Sequence, residues 1–362
     1  MPLFSARPAR LGVDISSTAV KLIQLEKHRG GYRATAFAVE PLPQGTVQGK
    51  SITDTEAAAA ALTRVVQRAR VKGRHLCMAV PTSSAVSRVL RIDNPGDEFE
   101  LEEQVRLEAD QYIPFPIDEV SFDFEPIQPD ILGKQKKQRA GEQEAIDVLM
   151  AATRTDNVDS RVAVAEAAGM VVDVIDIESF ALQNAYTEIL SPTLSPEERS
   201  QPVALFDIGD TTTTLSVFID NDIVYTREHE GGGQQLTNEI SAQYGLSFQE
   251  ADERKRDDSL PEDYQRKVLQ PYLDSLAMNI ERFIQYYYSE SSGSTVNLIL
   301  LGGGTANTAG AVERINNETG ITTRLANPFA TLAKGPGVSS EQIARNGTAM
   351  LIACGLALRS FD

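Results

Sequence analysis

Residues 11–25 read LGVDISSTAVKLIQL, and residues 205–219 read LFDIGDTTTTLSVFI. Each stretch begins as an apolar strand ending in an aspartate, passes through a short Gly/Ser/Thr turn, and resumes as a second apolar strand. Setting Asp14 against Asp207 also aligns Ile15 with Ile208, Thr18 with Thr211 and Leu22 with Leu215. A third strand follows in both places: residues 32–39 after Gly30-Gly31, and residues 223–226 after Asp220-Asn221-Asp222. Two copies of strand, acidic turn, strand, turn, strand predict two similar α/β domains facing one another.

The length of 362 residues suits about two domains at about 150 residues each. A hydrophobic content of 41% and a charged content of 23% place the chain among ordinary globular proteins. The formal charge of −17, with Lys and Arg scattered, argues against a nucleic-acid partner, because a phosphate backbone would be repelled. Cys77 and Cys354 lie far apart and share no metal-ligand spacing with His28, His75 or His229, so both read as buried thiols in a reducing compartment. Residues 1–10 lack the apolar core of a signal peptide, and no run approaches the roughly 18 apolar residues of a membrane span. Residues 349–358 form the longest candidate and read as a core helix, which predicts that any membrane connection runs through a partner.

Between the two copies, residues 191–202 (SPTLSPEERSQP) read as a surface connection. Residues 55–70 predict an Ala-rich helix, and residues 98–112 a second helix that Pro114 and Pro116 stop. Residues 120–126 and 146–152 read as strands, with the polar stretch 133–144 (GKQKKQRAGEQE) as a solvated hairpin tip between them. Residues 271–288 place Leu273, Leu276, Ile280, Phe283, Ile284 and Tyr287 on one helical stripe, which core packing explains without a ligand.

A carboxylate at a strand end, beside the backbone N–H groups of a tight turn, can hold hydrated Mg²⁺ while the turn cradles phosphate oxygens. One such aspartate is ordinary turn chemistry. Asp14 and Asp207 in register across two halves point instead to a shared anion. Residues 296–310 (VNLILLGGGTANTAG) add a buried strand entering Gly302, Gly303 and Gly304 and then a helix, where backbone can approach a ligand closely. The spacing matches neither a dinucleotide fingerprint nor a P-loop. Gly231, Gly232 and Gly233, before another helix, line the same cleft or simply turn the chain.

In this order and separation, DISST, DIGDTTTT and LLGGGTANTAG resemble the two phosphate motifs and the adenosine motif of the actin-like ATPases, the superfamily that includes actin and the division protein FtsA. The resemblance implies an α/β, ribonuclease H-like duplicated fold that closes over ATP or ADP. It implies that Asp14 and Asp207 flank Mg²⁺ and that Ser16, Ser17 and Thr18, with Gly209, Thr211 and Thr212, clasp the phosphates. Lys21 matches a phosphate-reaching lysine, and Asp252 and Lys255 match an acidic-x-x-Lys pattern that touches ribose and base. Glu178 matches a catalytic position opposite the γ-phosphate, where a carboxylate orients Mg²⁺ or water. The helix after Glu178 and residues 346–358, with Gly347, Ala349 and Gly355, resemble the small-residue connector helices between the domains. Ser16 stands where many members have glycine, so ATP binding is expected while hydrolysis is expected to be weak or absent.

A closer resemblance is to the PilM family of type IV pilus assembly proteins, carried by residues 88–127 and 146–186 and above all by EADQYIPFP at 108–116. It implies a first actin-like domain over residues 1–87 with 170–201 and 338–362. It also implies an FtsA-like extra small subdomain over 88–169, and a second actin-like domain over 202–337 with a helical subdomain at about 240–285. Family members bind the N-terminal cytoplasmic segment of PilN and connect through it to PilO, PilP and the secretin, with links to the pilus motor ATPases. The expected role is a cytoplasmic ATP-binding adaptor at the inner face of the bacterial inner membrane. The alternatives are an FtsA-like filament-forming ATPase and a small-molecule kinase. Residues 359–362 follow the connector helix directly, so an FtsA-like amphipathic membrane anchor is not expected, and no sugar-binding cluster supports a kinase.

Overall fold

The computed structural model describes residues 9–93, 98–127, 145–257, 259–291 and 295–361. The stretch 133–144, read above as a hairpin tip, lies outside the described residues. The chain opens with an antiparallel meander of β1 (Leu11–Ile15), β2 (Ala19–His28) and β3 (Gly31–Pro41), then a short hairpin of β4 (Val47–Gln48) and β5 (Ser51–Ile52). Helix α1 (Thr55–Ala69) begins where the Asp54 side chain accepts the Ala57 N–H at 2.9 Å, satisfying one of the donors a helix start leaves open. Its buried face, Ala58, Leu62 and Val65, covers β2 and β3. β6 (His75–Val80) then pairs parallel with β1.

β7 (Ala85–Asp93), α2 (Glu98–Ala109), β8 (Val120–Pro126) and β9 (Ala145–Arg154) form a separate three-stranded sheet, order β7-β9-β8, around a small core of Leu90, Ile92, Val105, Val148 and Met150. Helix α2 ends at Ala109, three residues before the end predicted from sequence, and Ile113 of the YIPFP stretch packs into the small core. Helix α3 (Thr155–Ala167) packs against α1 and β10 (Val171–Ile177), and its Val164 and Ala165 join the core of the first sheet rather than the small one. α4 (Glu178–Ala185) and α5 (Pro196–Arg199) lead into the second half.

That half repeats the first. β11 (Val203–Ile208), β12 (Thr212–Ile219) and β13 (Asp222–Glu230) form a meander, followed by α6 (Gly233–Tyr244), α7 (Phe248–Arg256) and α8 (Gln270–Glu290). β14 (Leu298–Gly302), α9 (Ala311–Thr319) and β15 (Thr322–Leu325) come next. The chain then returns through β16 (Ala333–Lys334), at the edge of the first sheet, to α10 (Ser340–Asn346) and α11 (Leu351–Leu358). The sheet orders are β10-β6-β1-β2-β3-β16 and β13-β12-β11-β14-β15. In both, the first strand has its antiparallel meander on one side and two parallel strands on the other.

Helices α4 and α11 cross at contact distance, and glycine permits it. A Cβ on Gly355 would overlap the Ala181 carbonyl, and one on Gly12 would overlap the Ala353 carbonyl beneath β1. The halves also share a core: Leu182, Tyr186 and Leu190 meet Val203, Leu205 and Phe218, and the Tyr186 ring stacks on Phe218 at 3.9 Å between centroids. Each such side chain contributes about 1.5–3 kcal/mol on full burial, enough to fix the lobes around this seam. Cys77 and Cys354 are both buried thiols.

Candidate functional site

Asp14 is the penultimate residue of β1 and is 5% exposed. Lys21 lies directly opposite it on β2, so both side chains leave the same face, and Nζ sits 2.7 Å from Asp14 Oδ2. Asp207 holds the matching place on β11, opposite Thr214 on β12 and Gly302 on β14. Glu178 begins α4 at the seam between the halves. Burial disfavours the Lys21 ammonium, yet the carboxylates of Asp14, Asp207 and Glu178 outweigh it and hold its pKa above the ordinary lysine value. Asp207 is pushed up, first by burial and then by Asp14, against the pull of Lys21 and Lys50. The two aspartates therefore share one electrostatic neighbourhood.

Three residues that the sequence reading missed complete this cluster. Lys50, at the tip of the β4–β5 hairpin, contacts Glu228 of β13 and lies 3.5 Å from Glu178. Burial opposes its charge, but Glu178, Glu228 and Asp207 raise its pKa. Arg161 of α3, 3% exposed, donates to the carbonyl oxygens of Ala79 at 2.5 Å and Asn157 at 2.9 Å, with its charge toward Glu178 and Asp14. Glu178 is pushed up to about 7 by burial and by Asp14 and Asp207, against Lys50 and Arg161. Lone charged residues in a hairpin, a strand and a helix carry no motif, so pattern alone does not single them out.

The first turn is closed on itself: the Ser16 N–H and hydroxyl both donate to the Ala19 carbonyl at 3.0 Å, with Ser17 half-buried and Thr18 exposed. The second turn is stitched to both glycine runs. Gly209 donates to Thr212 O at 2.9 Å and accepts from Gly233 N–H at 3.0 Å and from the Thr305 hydroxyl at 2.8 Å. Gly231 donates to Thr211 O at 2.8 Å. Gly303 has φ of +88°, and a Cβ there would overlap the Ile208 backbone. Its N–H and carbonyl both bond Thr348, at 2.8 Å each. Gly304, by contrast, faces open space. Gly231 to Gly233 thus belong to the same corner as Gly209 and Gly302 to Gly304.

Asp252 and Lys255 stand apart from the carboxylate cluster. Lys255 Nζ bonds Thr237 Oγ1 at 2.5 Å and Asp252 at 3.2 Å, and this pair sits beside Asp210, whose pKa burial raises and Lys255 lowers. Both lie on α7, and Lys255 reaches α6 through Thr237.

A groove of about 500 Å³ lies beside the start of α4, lined by Thr82, Ala85, Ser87, Val89, Ile177 and Ser179. β7 is an edge strand of its sheet, and its residues Ala85 to Val89 line this groove. Among the described residues no helix is long and apolar enough to cross a membrane.

Comparison with known proteins places this geometry. The family model of the type IV pilus assembly protein PilM matches residues 12–361. The solved structure of a PilM-PilN type IV pilus biogenesis complex is 27% identical, covers 98% of this chain and 99% of its own, and superposes with a TM-score of 0.78. The ethanolamine utilization protein EutJ from Carboxydothermus hydrogenoformans, 16% identical with a TM-score of 0.53, covers 99% of this chain and 91% of its own and shares the fold alone. The cell division protein FtsA of Bacillus subtilis (strain 168) is 27% identical over 174 residues, or 46% of this chain. That match spans 38% of FtsA, about two fifths of its length. The duplicated sheets are those of the actin-like fold, and the chain belongs to the PilM family of type IV pilus assembly proteins.

Proposed function

We propose that this chain is a nucleotide-binding adaptor of the type IV pilus assembly machinery, with ATP or ADP held between its two lobes and a PilN segment held in the groove beside the start of α4. The observation that carries the nucleotide reading is the meeting of two mirrored strand-end carboxylates with three glycine-containing turns at one seam.

The residues fit a magnesium nucleotide. Among the described residues no three or more acidic, His or Cys side chains form a direct metal cage. Mg²⁺ ordinarily keeps several waters and takes one or two carboxylates plus substrate phosphates. Asp14 and Asp207 would hold the hydrated ion, which when bound neutralises phosphate charge. Lys21 would reach a phosphate, while the open face of Gly304 and the backbone of Gly209 and Gly232 would admit the rest of the ligand. Asp252 and Lys255 would border ribose and base. Ser16, bonded back to Ala19, leaves the first turn less able to wrap a phosphate, which favours binding over rapid hydrolysis.

PilN is the partner of the 27%-identical relative, and an extended peptide suits this surface. Main-chain pairing along an edge strand supplies affinity, and flanking pockets supply selectivity. Through that segment the chain would sit at the inner face of the inner membrane and connect indirectly to PilO, PilP, the secretin and the motor ATPases. Calorimetric titration with Mg-ATP tests the nucleotide part. Binding in the micromolar range that Asp207→Ala abolishes supports it, and equal binding by the variant contradicts it.

A further inference from the structure

Lys50 occupies the second position of the two-residue loop between β4 and β5, where φ is +53° at Gly49 and +67° at Lys50. Such loops need positive φ at both positions and are ordinarily filled by Gly, Asn or Asp. A lysine held left-handed is disfavoured, because its Cβ crowds the neighbouring backbone. Its ammonium contacts Glu228 in the second lobe, 178 residues away, and lies 3.5 Å from Glu178. The ion pair to Glu228 holds the lysine in a backbone conformation that Gly, Asn or Asp at the same place would adopt at less cost. The lysine at this tip is thus kept against its backbone preference, and observed strain beside a candidate ligand site points to function. The side chain is 17% exposed, in the field of Asp207 and Glu178, and its flexible stem carries a compact charge of the kind that binds phosphate as a point.

We propose that Lys50 distinguishes a nucleoside triphosphate from a diphosphate, the terminal phosphate replacing Glu228 as its counter-ion; this rests on the nucleotide reading above. With a diphosphate the Lys50–Glu228 pair stays closed and ties the first lobe to β13. With a triphosphate the tie passes to the ligand and Glu228 is released.

The test is calorimetric titration of the full chain with Mg-ATP and with Mg-ADP for the wild type, Lys50→Gly, Lys50→Arg and Glu228→Gln. Lys50→Gly relieves the strained turn and so preserves folding. Losing a charge-assisted contact weakens Mg-ATP about tenfold in Lys50→Gly, with Mg-ADP changed less than about twofold. Lys50→Arg keeps the preference for ATP. Glu228→Gln, which frees the ammonium, tightens Mg-ATP and leaves Mg-ADP unchanged. An ATP-to-ADP affinity ratio unchanged in Lys50→Gly, or weaker Mg-ATP binding in Glu228→Gln, overturns this inference alone. Failure of the wild type to bind either nucleotide overturns the nucleotide reading and this inference with it.

Discussion

Lys21 faces Asp14 across the first meander, whereas Thr214 faces Asp207 at the equivalent place in the second. The duplication therefore supplies two carboxylates but one directly opposed ammonium, and the site is asymmetric. Lys21→Met leaves Asp14 buried without its closest partner, which costs about 3 kcal/mol. Chemical denaturation of the ligand-free protein should show that loss. The Lys21→Met/Asp14→Leu double variant should recover most of it, since removing both charges lifts the desolvation penalty.

Stability should also depend on pH through Glu178. Burial first, then Asp14 and Asp207, pushes its carboxyl up to about 7 against Lys50 and Arg161. An unfolded glutamate titrates near 4.3, so between about pH 4 and pH 7 the folded chain binds more protons. That contribution to stability is full at low pH and lost as pH rises through 7. Glu178→Gln stays neutral throughout, so it should unfold at higher denaturant than the wild type at pH 8, by on the order of 1–3 kcal/mol, with the gap closing toward pH 4.

The mirrored turns at Asp14 and Asp207 were legible because each joins a period-two apolar pattern to a turn of small residues, and those features repeat in register. The same logic reached the core stripe of α8 and the glycine turn at Gly303. Lys50 and Glu228 were not legible, because their meeting depends on how the two lobes dock across the Tyr186–Phe218 seam, and Arg161 was not, because it is carried in by α3. The placement of α3 was likewise hidden: its sequence follows the small sheet, but Val164 and Ala165 bury against α1 and the first sheet.

Two glycines separate packing from binding. Gly355→Val would drive a side chain into the Ala181 carbonyl where α4 and α11 cross, so thermal unfolding should reveal a loss of about 3 kcal/mol. Gly304→Val meets open space at an ordinary φ of −66°, so its stability should stay within about 0.5 kcal/mol of the wild type. Its affinity for Mg-ATP should nevertheless fall. Unchanged affinity in that variant would move the ligand away from the glycine turn.

Val89 is 54% exposed on β7 and lines the groove. Val89→Asp should leave the fold within about 0.5 kcal/mol, as surface changes do. Binding of a synthetic PilN N-terminal peptide, followed by fluorescence anisotropy, should weaken about tenfold through loss of one apolar contact and the added charge.

Ile177 and Ser179 line the groove while Glu178, between them, faces the carboxylate cluster. One turn of backbone thus borders both candidate sites, which makes their coupling the central claim. Its most direct test is the affinity of the wild-type chain for the PilN peptide with Mg-ATP, with Mg-ADP and without nucleotide. The expected result is at least about a fivefold difference between Mg-ATP and no nucleotide, within the usual range of allosteric coupling, and its disappearance in Asp207→Ala. Equal peptide affinity in all three conditions would contradict it.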